Sequence, residues 1–253
     1  MNNLPLLTIS IAIIGILAPA FAEDPANWKP LFDGESLRGW DGDPKFWKVE
    51  EDAITGTTTE ENPTKGNTFI IFTGENANHE PAEFGDFELK LKFRIEGHNS
   101  GIQYRSFRAE GGPDRWRVGG YQSDFDAAGN WAGTKYGERF RGILAKRGEK
   151  VVLTGTEEVE DKKSGRKKTV VKREVSSLGD PAELVKHVKI WPEWNEMHII
   201  AKGHTLVQKI NDVVMSEVTD NDKENRRDKG LIAVQLHGGP PMKVQVKEVK
   251  VKE

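Results

Sequence analysis

In FELKLKFRI, residues 87–95, every second side chain is apolar. Phe87, Leu89, Leu91, Phe93 and Ile95 fall on one face, and Glu88, Lys90, Lys92 and Arg94 fall on the other. Strand side chains point alternately to opposite sides, whereas a helix would spread this pattern around its whole circumference. The segment is therefore a strand with one buried face, and it needs a second layer to cover that face. The same period recurs along the chain. GIQYRSF alternates Ile102 and Tyr104 against Gln103 and Arg105, and GLIAVQLHGG sets Ile232, Val234 and Leu236 against Ala233, Gln235 and His237. TLVQKINDVVMSEV reads as a hairpin turning at Asn211-Asp212, and MKVQVKEVKVKE alternates with one slip near Lys247-Glu248, as a bulge would produce. Shorter strands are expected at FWKVE, AITGT and NTFIIF, and a helix of about two turns at DPAELVKH, residues 180–187, after its Asp-Pro start. So many strands, with 26 glycines to turn them, predict an all-β fold, an antiparallel sandwich or barrel.

Residues 1–22 read as an export signal. LPLLTISIAIIGILAPAFA is apolar and ends in Ala20-Phe21-Ala22, a small-x-small cleavage pattern, although no Lys or Arg precedes it. An uncleaved anchor is the alternative. Cleavage would leave one domain from residue 23 to 253, exported to the periplasm or the exterior and free of the membrane. The chain has no cysteine, which removes disulfides, thiolate metal sites and a cysteine nucleophile. A net charge of −3 gives no footprint for nucleic acid. The stretch 154–176 is dense in charges of both signs and reads as an exposed hairpin or mobile insertion.

The polar faces of three strands carry the candidate chemistry. GGYQSDFDAAG, residues 119–129, sends Tyr121, Ser123 and Phe125 one way and Gln122, Asp124 and Asp126 the other. Together with Gln103, Arg105, Gln235 and His237 these form a lining of amides, carboxylates, a guanidinium and an imidazole, suited to sugar hydroxyls. The competing account is an ordinary solvated sheet face. Asp124 and Asp126 are two residues apart, roughly 6.5–7 Å along a strand, near the separation of about 5–5.5 Å that retaining glycosidases use. The spacing matches the Glu-x-Asp-x-Glu strand of jelly-roll glucanases, but Gln122 stands at the first carboxylate position and an amide is a poor nucleophile. In WPEWNEMHII, Trp191, Trp194 and Asn195 open a strand where rings stack on sugar faces, unless they pack the core edge. Tyr136 in AGTKYG is placed to face the same site. No zinc spacing occurs. DFDAAGN is oxygen-rich without the full calcium-loop spacing, so a divalent metal stays open. Phosphate-loop, dinucleotide and Gly-x-Ser-x-Gly signatures do not occur.

Taken in order, WKPLFDGESLRGW, GDFELKLKFRI, NSGIQYRS, GGYQSDFD, WNEMHIIAKG and GLIAVQLHGG resemble the 3-keto-disaccharide hydrolase family, from about Trp28 to Val251. The resemblance implies a concanavalin-like jelly roll of two antiparallel sheets, an exported protein, and cleavage of glycosides already oxidised to a ketone at C3. A C3 ketone acidifies the C2 hydrogen, so a base removes it, the C1 oxygen leaves, and water then adds to the enone or does not. Such a route needs no nucleophilic carboxylate. It assigns Asp124 as base, Arg105 and Gln122 to the C3 oxygen, His237 or Asp126 as acid, and Gln103, Trp194 and Asn195 to holding the sugar. A non-catalytic carbohydrate-binding module and an interaction domain for surface proteins are the alternatives.

Overall fold

The alternation at 87–95 becomes a strand buried on one side only, with Phe87, Leu89, Leu91, Phe93 and Ile95 each at most 5% exposed. The computed structural model describes residues 27–75, 78–111, 114–160 and 167–253, so the expected signal at 1–22 lies outside the described residues. The described strands, in chain order, are β1 (Lys29–Pro30), β2 (Trp40–Asp41), β3 (Trp47–Glu50), β4 (Ala53–Thr58), β5 (Thr68–Phe72), β6 (Phe87–Glu96), β7 (Asn99–Arg108), β8 (Val118–Asp126) and β9 (Lys135–Glu138). There follow β10 (Gly142–Ala145), β11 (Glu149–Glu160), β12 (Lys167–Ser177), β13 (Asn195–Lys202), β14 (Thr205–Ile210), β15 (Val213–Asp220), β16 (Leu231–Leu236) and β17 (Met242–Lys252). The helix α1 (Pro181–Leu184) is capped by Asp180, whose carboxylate accepts from the Ala182 amide, and a 3₁₀ turn continues it to His187.

Two sheets form a jelly-roll sandwich. One runs β12-β11-β15-β14-β13-β6-β17-β4-β3 with β1 added along β17; the other runs β10-β9-β8-β7-β16-β5-β2. Pairing among the described strands is antiparallel except between β11 and β15. Asn211 and Asp212, at φ +49° and +65°, make the tight turn between β14 and β15. The slip in the last strand is a bulge: β17 loses register against β6 between Lys247 and Lys250, with Glu248 at φ +52°. The charged stretch after 154 lies in the β11–β12 hairpin. Because β11 pairs with β15 only at Lys150–Leu153, the hairpin continues beyond the sheet as a two-stranded ribbon.

The facing sides of the sheets make the core. Ile102, Tyr104, Tyr121, Phe125, Ile232, Val234 and Leu236 of the second sheet meet the apolar face of β6, with the Phe93 and Phe125 rings 4.1 Å apart. The outer face of the second sheet is divided along its strands. At one end Phe69, Ile71, Val118, Leu231 and Ala233 form a separate apolar cluster beneath Trp116. Asp41 fixes that cover by accepting from the Trp116 indole at 2.8 Å and from Arg115 at 2.9 Å. At the other end the same strands turn polar, and that end is left open.

Candidate active site

The open end is a cavity of about 700 Å³, within the range of roughly 300–1,000 Å³ usual for ligand sites. Its floor comes from alternate residues of neighbouring strands: Asn67 just before β5, Gln235 and His237 of β16 and the residue after it, Gln122, Asp124 and Asp126 of β8, and Tyr136 and Glu138 of β9. His98, Asn99 and the 127–131 loop form the rim. The register places Gln122 between Gln103 and Tyr136, and Asp124 beside Gly101. Glycine is required there. A β-carbon on residue 101 would stand 2.6 Å from Cγ and 2.9 Å from Nε2 of Gln122, so only a bare backbone lets that amide lie across β7.

A directed chain of hydrogen bonds ends at Asp124. Ser106 Oγ donates to Gln103 Oε1 at 2.7 Å, Gln103 Nε2 donates to Gln122 Oε1 at 2.5 Å, and Gln122 Nε2 donates to Asp124 Oδ1 at 2.6 Å. Each amide is oriented by the one before it, so the carboxyl is held in one rotamer by partners that are themselves fixed. Burial pushes the Asp124 carboxyl well above the usual carboxylate range; the Gln122 bond opposes this, and the Glu138 and Asp126 charges add to it. On the core side of the sheet, Lys135 is fully buried, donates to the Tyr104 hydroxyl at 2.8 Å, and is lowered by burial to about 7. Glu138, only 7% exposed, is also raised by burial. Tyr136 is raised by burial and then by the charges of Glu138 and Asp124. Gln235 is fully buried, and its Nε2 has no hydrogen-bond partner among the described residues.

The structure brings Asp124, Asp126, Gln122, Tyr136, Gln235 and His237 around one cavity, with Gln103 supporting Gln122 from β7. Three other expected residues lie elsewhere. Arg105 would share a face with Gln103 in a regular strand, but β7 is bulged after Tyr104 and Arg105 takes φ +43°. The bulge re-aims its guanidinium to the Gly85 and Gly203 carbonyls at 2.9 and 2.7 Å and to Asp86 at 2.8 Å, all outside the cavity. Trp194 and Asn195 precede and begin β13, which belongs to the opposite sheet. The Trp194 ring lies under Arg94 and Lys247, and Asn195 is spent on the backbone of Lys189, accepting from its N–H and donating to its carbonyl at 2.8 Å each.

Two lining residues have their polar atoms engaged. Asp126 accepts from the backbone amides of Asn130, Trp131 and Ala132 through both oxygens, so it closes the rim loop. His237 places Nδ1 2.7 Å from the Gly238 carbonyl and packs its ring 4.4 Å from that of His98. Burial lowers His98, and His237 adds to the effect. Among the described residues no group of three or more His, Asp or Glu side chains converges as a metal site. Glu138 and Asn67 are cavity residues that reading by motif passes over, yet alternation points to both. Glu138 is two residues from Tyr136, and Asn67 is two from Phe69 on the same face of NTFIIF.

No curated protein matches the chain. Two solved structures of Parabacteroides distasonis ATCC 8503 proteins, each described as a "putative glycosyl hydrolase", are similar at TM-score 0.51 and 18% identity. The alignments cover 89% and 90% of this chain and 98% and 94% of theirs, and likeness at that identity concerns the fold alone. The carbohydrate-binding module CBM66 of Bacillus subtilis is more distant, with a TM-score of 0.48 and 11% identity over 85% of this chain and 96% of its own. Residues 27–252, almost all of the described chain, match the 3-keto-alpha-glucoside-1,2-lyase-like domain, and the protein belongs to that carbohydrate-active family.

Proposed function

We propose that the protein cleaves glycosides bearing a ketone at C3 by removing the C2 hydrogen and eliminating the group at C1. The observation that carries this reading is Asp124, a buried carboxyl locked by an amide chain at the floor of an open, sugar-sized cavity. A carboxylate raised by burial is a stronger base than one in water, and its position under the cavity suits a carbon acid already activated by an adjacent ketone. As charge moves onto the C3 oxygen, a donor must meet it. With Arg105 bonded elsewhere, the Gln235 amide in the cavity floor, whose Nε2 has no partner among the described residues, is the candidate donor. Tyr136 and Asn99 supply further polar contacts at the sides. Among the described residues the lining contains carboxylates, amides and imidazoles but no Lys or Arg, so it suits an uncharged sugar.

Proton NMR in D₂O of the protein with a 3-keto-disaccharide, beside the unoxidised parent sugar, tests the reading. Loss of the C2 proton signal together with release of the aglycone, seen only for the keto sugar, is the expected result. Shifts that report binding without turnover across several keto sugars would replace the enzyme by a carbohydrate-binding module.

A further inference from the structure

We infer that Glu138 is the acid that protonates the departing glycosidic oxygen, a role that rests on the elimination proposed above. Glu138 lies on β9, two residues beyond Tyr136, and faces the same cavity as Asp124 from farther along the sheet. Asn67 holds it, donating from Nδ2 to Glu138 Oε1 at 3.3 Å while its own Oδ1 accepts from the Gly238 amide at 3.0 Å. The clamp ties the β9 carboxyl to the end of β16, across the cavity floor. Two other candidates at the site are committed. Asp126 has both oxygens engaged by three backbone N–H groups. The His237 Nδ1 bond to a carbonyl places its proton on that nitrogen, which leaves Nε2 of the neutral ring as an acceptor. Burial raises Glu138 against the Asn67 bond and the charges of Arg139, whose Nε is 3.8 Å from Oε1, and of Arg117; the net effect favours the protonated form that an acid needs.

The proton balance closes with these two carboxyls. Asp124 takes the C2 hydrogen, and the C–H electron pair forms the C2=C3 enolate. Its collapse restores the C3 carbonyl, forms C1=C2 and breaks the C1–O bond. The pair leaving on oxygen takes the proton of Glu138. Addition of water to C1=C2 with the roles reversed returns one proton to Glu138 and delivers the other from Asp124 to C2.

An acid matters most for a basic leaving group, so the test compares a 3-keto-glucoside with an alkyl aglycone and one with a nitrophenyl aglycone. In Glu138→Gln the ratio of alkyl to nitrophenyl rates should fall by about tenfold or more, since positioned proton transfer is worth roughly 10²–10⁴ in rate. The decline of the alkyl rate at high pH, where the acid loses its proton, should vanish with it. If Glu138→Gln fails to fold, Glu138→Asp gives the same comparison, with the ratio falling as the carboxyl withdraws. An unchanged ratio in a folded variant overturns the role of Glu138. Wild-type protein that turns over neither substrate overturns the elimination reading itself, and this role with it.

Discussion

Asp124→Asn should make the protein much less active and more stable, and the stability gain should depend on pH in one direction. Asp124 is 4% exposed and burial raises its carboxyl, so the folded state keeps this proton after the unfolded chain, ionising near about 3.9, has lost it. A group raised on folding contributes fully below the unfolded value, and that contribution is lost as pH rises toward the folded one. Each unit of separation is worth about 1.4 kcal/mol, or roughly 3–6 °C in the melting temperature of a domain this size. Asparagine has the same shape, still accepts from Gln122 Nε2 and does not ionise, so the variant escapes the loss. The assay is melting temperature against pH for both proteins. Their difference should be small near pH 4, widen in favour of Asp124→Asn as pH rises, and then level off. At neutral pH the same variant should lose about 10²–10⁴ in kcat/KM on a keto-glycoside. Parallel melting curves across that range, or near-wild-type turnover, would refute the view of Asp124 as a strained buried base.

Three further substitutions separate the site from what surrounds it. Asn195→Ala removes both bonds to the Lys189 backbone and should cost about 1–3 kcal/mol in denaturant unfolding, while kcat/KM is unchanged, as it should also be in Trp194→Ala. Gly101→Ala should do the opposite. Its β-carbon would displace the Gln122 amide and with it the orientation of Asp124, so kcat/KM should fall by about a hundredfold in a protein that still folds, as steady-state kinetics beside circular dichroism would show.

How much of this was legible in the sequence follows from what alternation can and cannot encode. A period of two fixes which residues of a strand share a face, and it therefore grouped Gln122 with Asp124 and Asp126 and separated Gln235 from Val234. The bulge at Lys247-Glu248 and the turn at Asn211-Asp212 were also visible, because an interrupted period and an Asn-Asp pair are local signals. Alternation does not say which sheet a strand joins. WPEWNEMHII has the right chemistry for a sugar, but β13 pairs with β6 and β14, in the sheet opposite the cavity. Nor does it survive an irregularity that leaves no gap in the pattern: Arg105 continues the period of Gln103, and only its positive φ turns the guanidinium away. The reverse error hid Glu138. KYGE is too short to announce a strand and Glu138 belongs to no motif, yet Tyr136 is placed at the site and period two carries Glu138 there with it. The site is thus written in residue faces, but it is assembled by strand order. A chemical motif read from one strand gains meaning only once its neighbours are known, and β9 beside β8 is the neighbour that adds the Glu138 carboxyl to Asp124 and Asp126.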